Sequence, residues 1–104
     1  MILISRDVVL KVMIYGHKHR DRIDIISHIL ETANGSNIKK TKIMNTTFLS
    51  YYQLNEYLRV LTGGDLLRYN LDTRTYKTTE KGLRFLSTRN QMDQMMAALT
   101  PAQV

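Results

Sequence analysis

Residues 50–64 constrain the fold more than any other part of the chain, because they carry both ends of a helix and its buried stripe. Ser50 stands three residues before Gln53, the spacing of a capping box in which each side chain satisfies the other residue's backbone N–H. Leu54, Tyr57, Leu58 and Leu61 then fall at i, i+3, i+4 and i+7, and Gly63-Gly64 stops the run. So short a helix takes its stability from packing that stripe, so other segments must provide the opposing surface. At roughly 100 to 200 residues per domain, a chain of 104 residues forms one domain, and 43% hydrophobic residues fill one modest core.

The flanking segments read as further elements in a definite order. Ile23, Ile26, Leu30 and Ala33 recur at helical spacing with Ile29 beside them, and Asn34-Gly35 offers a left-handed stop. After a loop over residues 36–40, Thr41 is placed to cap a short second helix that turns Ile43 and Met44 inward and ends near Thr46 and Thr47. Beyond the Ser50 helix, residues 66–69 and 75–78 read as a hairpin joined by Asn70-Leu71-Asp72-Thr73-Arg74, with Arg74 at its tip. Thr78 or Thr79 then caps a closing helix through Leu83, Phe85, Leu86, Met92, Met95, Met96 and Leu99, which Pro101 ends. Three helices, a hairpin and a closing helix are the order of a winged helix-turn-helix: mainly α, with a small β-hairpin wing. Residues 1–15 suit a strand or a helix and are read as a strand, with Met13 as an alternative start; residues 17–22 are a solvated connection or a first helical turn.

Composition removes whole classes of function. There is no cysteine, so disulfides, thiolate metal sites and cysteine nucleophiles are excluded. Arg6, Asp7 and Lys11 interrupt the apolar start, which argues against a signal peptide, and no apolar run reaches about 18 residues; a soluble protein is expected. The formal charge of +6 points to a polyanionic partner.

The Ser50 helix, third in order, is the candidate recognition helix. With its leucines inward, Tyr52, Asn55, Glu56 and Arg59 point outward and Gln53 sits at one edge. Asn and Gln suit adenine edges, Arg suits guanine or phosphate, and Tyr suits phosphate or sugar. Glu56 fits only by accepting from cytosine or by pairing with Arg59. Lys39, Lys40 and Lys42 cluster at the start of the second helix, where the dipole disfavours cations but backbone amides and lysines together form a phosphate clamp. Arg74, Arg68 and Lys77 make the hairpin basic. The DNA-binding candidates are therefore Lys39, Lys40, Lys42, Ser50, Tyr52, Gln53, Asn55, Arg59, Arg74 and Lys77.

Other chemistry finds little support. His17, His19, Asp21, Asp24 and His28 are ligand types at close spacing, but they match no recognised motif, and exposed polar residues are the plainer reading; no metal and no cofactor are expected. Neither a Gly-x-Ser-x-Gly elbow nor a Gly-x-x-x-x-Gly-Lys phosphate loop is present, so no enzyme is expected. In the closing helix Phe85, Met92 and Leu99 repeat every seven residues, with Met95 between and Met96 widening the stripe. A helix spanning residues 79–99 is about 30 Å long, more than its own domain covers, so a second chain is the economical cover and these five residues are the candidate dimer interface.

Arg22-Ile23-Asp24-Ile25-Ile26, Lys40-Thr41-Lys42-Ile43-Met44, Leu49-Ser50-Tyr51-Tyr52-Gln53-Leu54 and Tyr76-Lys77-Thr78-Thr79-Glu80-Lys81-Gly82 resemble the small archaeal winged-helix DNA-binding proteins. The resemblance spans residues 20–86; Thr62-Gly63-Gly64-Asp65 replaces the family's more charged ending, and Thr78 stands where a Leu is common. It implies a dimer held by an antiparallel coiled coil of closing helices, binding duplex DNA as a regulator or chromatin-like protein. The resulting expectation is an uncertain segment over 1–15, a winged helix-turn-helix over 16–86, and a dimerisation helix over 79–99. The protein would be a homodimeric transcription regulator in the cytoplasm, associated with the nucleoid and not with membrane. The alternatives are a protein-interaction winged helix in a transcription or replication assembly and a sensor holding a ligand in its Met-lined seam.

Overall fold

A computed structural model describes residues 20–99, which form α1 (Arg22–Thr32), β1 (Ile38–Lys39), α2 (Lys40–Thr47), α3 (Tyr51–Gly63), β2 (Leu67–Asn70), β3 (Thr75–Thr78) and α4 (Glu80–Leu99). The expected strand over residues 1–15, the alternative start at Met13, His17, His19 and Pro101 lie outside the described residues.

The core is where the three helical stripes meet the base of the hairpin. Ile29, Leu30 and Ala33 of α1 and its cap, Ile43 of α2, Leu49, then Leu54, Leu58 and Leu61 of α3 and Leu67 of β2 are all buried. Burying a Leu or Ile side chain is worth about 1.5 to 3 kcal/mol, so this cluster is the main source of stability. Ile23, expected inside, is 47% exposed. The inward face of α1 is rotated so that Ile29 and Leu30 lie at its centre, with Ile25 and Ile26 half-buried on its flanks.

Helix ends explain the rest of the framework. Asp21 and Asp24 form a capping box at α1, and Ser50 and Gln53 form the expected one at α3. Helix α1 stops at Ala33, and Gly35 two residues on adopts the left-handed φ of +82°. Thr78 donates from its N–H to the Ala33 carbonyl (3.0 Å) and from Oγ1 to the Leu30 carbonyl (2.7 Å), satisfying carbonyls that the helix end leaves open. A leucine at position 78 would forfeit the second bond. Thr79, of the two threonines expected to cap α4, takes that role, with Oγ1 accepting from Gly82 N–H at 3.0 Å. Gly82 is held against Leu66 and the end of β3: a Cβ there would collide with the Leu66 carbonyl oxygen and lie 2.6 Å from Thr78 Cγ2.

The wing is a three-stranded antiparallel sheet of order β1-β3-β2. Its third strand corrects the expected start of the second helix. Thr41 does not cap; Lys39 is the cap residue, because Ile38 and Lys39 pair with Tyr76 and Thr75 and the chain leaves the sheet directly into α2. The first hairpin strand begins at Leu67, not Leu66, since Leu66 N–H closes the α3 terminus on the Leu61 carbonyl at 2.8 Å.

Candidate nucleic-acid interface

The start of α2 differs from the other helix starts. It has no side-chain cap and no acidic residue in its first turn, whereas α1, α3 and α4 are capped by Asp21, Ser50 and Thr79. Lys39, Lys40 and Lys42 stand there instead. Open amides, the positive end of the dipole and three ammonium groups make this a place where an anion is stabilised.

The start of α3 lies against it. Lys40 Nζ donates to Asn55 Oδ1 at 2.8 Å and sits 5.2 Å from the centroid of the Tyr51 ring. Two expected site residues are thus bonded to each other, and Asn55 is half-buried where full exposure was expected. Ser50 Oγ accepts from Gln53 N–H (3.2 Å) while Gln53 Oε1 accepts from Ser50 N–H (3.1 Å), so both side chains serve the cap first. Tyr52 is 83% exposed and meets Tyr51 edge to face at 6.3 Å. Arg59 donates to Glu56 Oε1 at 2.6 Å on the open face, which resolves the acidic residue of this helix as a local ion pair.

Register arranges the wing. Arg68 lies directly opposite Lys77, and both are exposed, on the sheet face that also carries Lys39. Tyr69 opposes Tyr76 on the other face with ring centroids 4.8 Å apart. Burial, reinforced by the neighbouring Tyr69 and Tyr51 hydroxyls, raises the Tyr76 pKa above the usual tyrosine value. At the tip Asn70 Oδ1 accepts from Asp72 and Thr73 N–H, and exposed Arg74 follows at φ +56°. Tyr51, which is not among the sequence candidates, stands beside Lys40, whereas Tyr69 and Tyr76 pack on the face of the wing turned from its cations.

The metal-ligand types expected near Asp24 lie where α1 meets α4. Asp24 accepts from Arg89 of α4, which also donates to Asp93 at 3.1 Å. Burial would raise the Asp24 pKa, but the Arg89 hydrogen bond, the Asp21 contacts and the Arg89 charge outweigh it and hold the carboxyl below its ordinary value. The Arg89 guanidinium is correspondingly raised by Asp24. Asp21 and Asp24 are thus committed to the cap and the ion pair, and His28 Nδ1 lies 3.5 Å from Arg20. Among the described residues no group of three His, Cys, Asp or Glu side chains is placed to hold a metal.

Of the candidate dimer residues, Phe85 is half-buried against its own core, whereas Met92, Met95, Met96 and Leu99 are 54%, 67%, 61% and 75% exposed. No helix of the described residues is long and apolar enough to cross a membrane.

Residues 19–97 match the family described as winged helix-turn-helix. The crystal structure of Sso10a-2, a DNA-binding protein from Sulfolobus solfataricus, superposes with a TM-score of 0.68 at 20% identity, covering 81% of this chain and 90% of that one. No curated protein matches the sequence significantly.

Proposed function

The chain belongs to the winged helix-turn-helix family, and from that membership we propose that it binds double-stranded DNA as a homodimer, as a transcription regulator or chromatin-like protein and not as an enzyme. Helix α3 enters the major groove, the α2 start holds a phosphate, and the wing grips the adjoining backbone. Lys39, Lys40, Lys42, Arg68, Arg74 and Lys77 supply charge; Ser50, Tyr52, Gln53 and Asn55 lie where base and sugar edges pass. Glu56 engages Arg59 Nη2 and offsets the charge that Arg59 brings to a phosphate. Residues 16–86 form the DNA-binding unit, and the helix within 79–99 joins two copies through Met92, Met95, Met96 and Leu99, with Phe85 at the near end. A DNA-bound protein of this kind resides with the nucleoid in the cytoplasm.

The observation that carries the reading is the α2 start, where lysines stand without a cap although every other described helix is capped. Within the free domain this costs stability, and a phosphate reverses the sign. The DNA-binding function of the neighbour Sso10a-2 supports the same reading. The test is binding to random-sequence duplex DNA at several salt concentrations. Six cations neutralising phosphates give a slope of log affinity against log salt of about −5 per chain. An absence of duplex binding at low salt, with capture of an acidic protein surface instead, would replace this reading by the protein-interaction one.

A further inference from the structure

Lys40 and Asn55 come from different helices, and their contact decides what Asn55 can offer a base. An ammonium carries no lone pair, so the partner of Lys40 Nζ at 2.8 Å is the amide oxygen and the orientation of the amide is settled. The Tyr51 ring, 5.2 Å from Nζ, holds the ammonium from a second side, and both Lys40 and Asn55 are half-buried. An unencumbered Asn pairs with adenine by accepting from N6 and donating to N7. Here Oδ1 keeps a second lone pair, but a base amino group using it must lie beside a positive charge that repels it. What the pair presents outward is N–H alone, from Nδ2 and from the remaining Nζ protons. In the major groove guanine shows two acceptors, O6 and N7, and no donor, whereas adenine and cytosine each show an amino group and thymine shows one acceptor beside a methyl.

We propose that Lys40 fixes Asn55 as a hydrogen-bond donor and that the two side chains together select guanine at one position of the major groove. This rests on the reading that α3 enters that groove. Gln53 has the same polarity, because its Oε1 is engaged by Ser50 N–H and its Nε2 is left to donate.

The experiment is selection from a random duplex library by the full chain, by Lys40→Met and by Asn55→Leu, each shown to be folded by its thermal melt. The wild type selects guanine at one position per half-site. Lys40→Met binds all DNA less tightly, and at that position alone the guanine-to-adenine ratio falls about tenfold or more as Oδ1 is released. Asn55→Leu erases preference there and nowhere else. Adenine at that position in the wild type, or a Lys40→Met profile unchanged in base preference, overturns the proposal. Binding with no sequence preference overturns it while leaving DNA binding intact; failure to bind duplex DNA at all overturns both readings.

Discussion

Helix α3 buries Leu54, Leu58 and Leu61 in 13 residues, whereas α4 buries only Gly82 in 20. The first is held by a core on one side and is free to give its polar side to a partner without moving. The second is anchored at its beginning by Gly82, Phe85, Leu86 and the Asp24–Arg89 pair, and beyond Arg89 every residue through Leu99 is exposed. The difference separates two kinds of surface. On α3 the exposed start, Tyr51 and Tyr52 included, is organised by the Ser50–Gln53 capping bonds; on the far half of α4 Met92, Met95, Met96 and Leu99 stand exposed among Asn90, Gln91, Asp93 and Gln94, an apolar surface that water does not favour.

The sharpest way to break this comparison is to make the far half of α4 polar. Met92→Asp together with Met95→Asp would bury like charges in the proposed dimer seam, at a cost of several kcal/mol. Sedimentation should then give half the mass while circular dichroism stays helical, because the core of Ile29, Leu30, Ile43, Leu54, Leu58 and Leu61 lies elsewhere. Affinity for DNA should fall as well, since two joined modules bind with an effective concentration that one lacks. A variant that keeps its full mass would show that α4 is exposed in the assembled protein too.

A smaller effect tests the anchor. Asp24→Asn removes a charge-assisted bond whose partners are 13% and 22% exposed, and a loss of about 2 kcal/mol is expected, moderated by the remaining Asp93 contact of Arg89. The pH dependence follows from the lowered Asp24 pKa. Its contribution is fully present above the unfolded carboxylate value of about 4 and is lost as pH falls through the depressed folded value. Thermal midpoints from acid to neutral pH should show a falling acid limb in the wild type that is shallower in Asp24→Asn. Hydrogen exchange should quicken in α4 and not in α3; equal acceleration in both would mean that the two helices share one stability.

What was legible in the sequence follows the same division. The Ser50–Gln53 box, the leucines after it and the glycines at 63 and 64 are local signals, and α3 matches them. Strand β1 is two residues long, too short to show a period, and is defined only by its partners Tyr76 and Thr75 on a distant segment. That is why the sequence alone favours Thr41 as the cap, although Lys39 takes that place. Ile23 fits a helical stripe as well as Ile26 does, and only the position of the other helices decides which one is covered. The site was legible as a set of residue types but not as a set of bonds, because the Lys40–Asn55 contact and the Arg68–Lys77 opposition arise from tertiary packing and strand register.

The smallest expected effect concerns that opposition. Like charges directly across an antiparallel pair destabilise it, by an amount within the usual cross-strand range of about 0.2 to 1 kcal/mol. Arg68 faces Lys77 in this way on the exposed face of the wing. Arg68→Thr should therefore raise the stability of the free protein by about 0.5 kcal/mol, helped by the strand preference of threonine. The same change removes one of the proposed phosphate contacts, so it should weaken binding to every DNA sequence alike and reduce the salt slope by about 1. Opposite signs are the essential outcome, measured by chemical denaturation on one side and by binding at two salt concentrations on the other. A residue kept for folding would lower stability when replaced and leave the salt slope unchanged, which would move Arg68 from the binding face to the framework that α3 and the core already share.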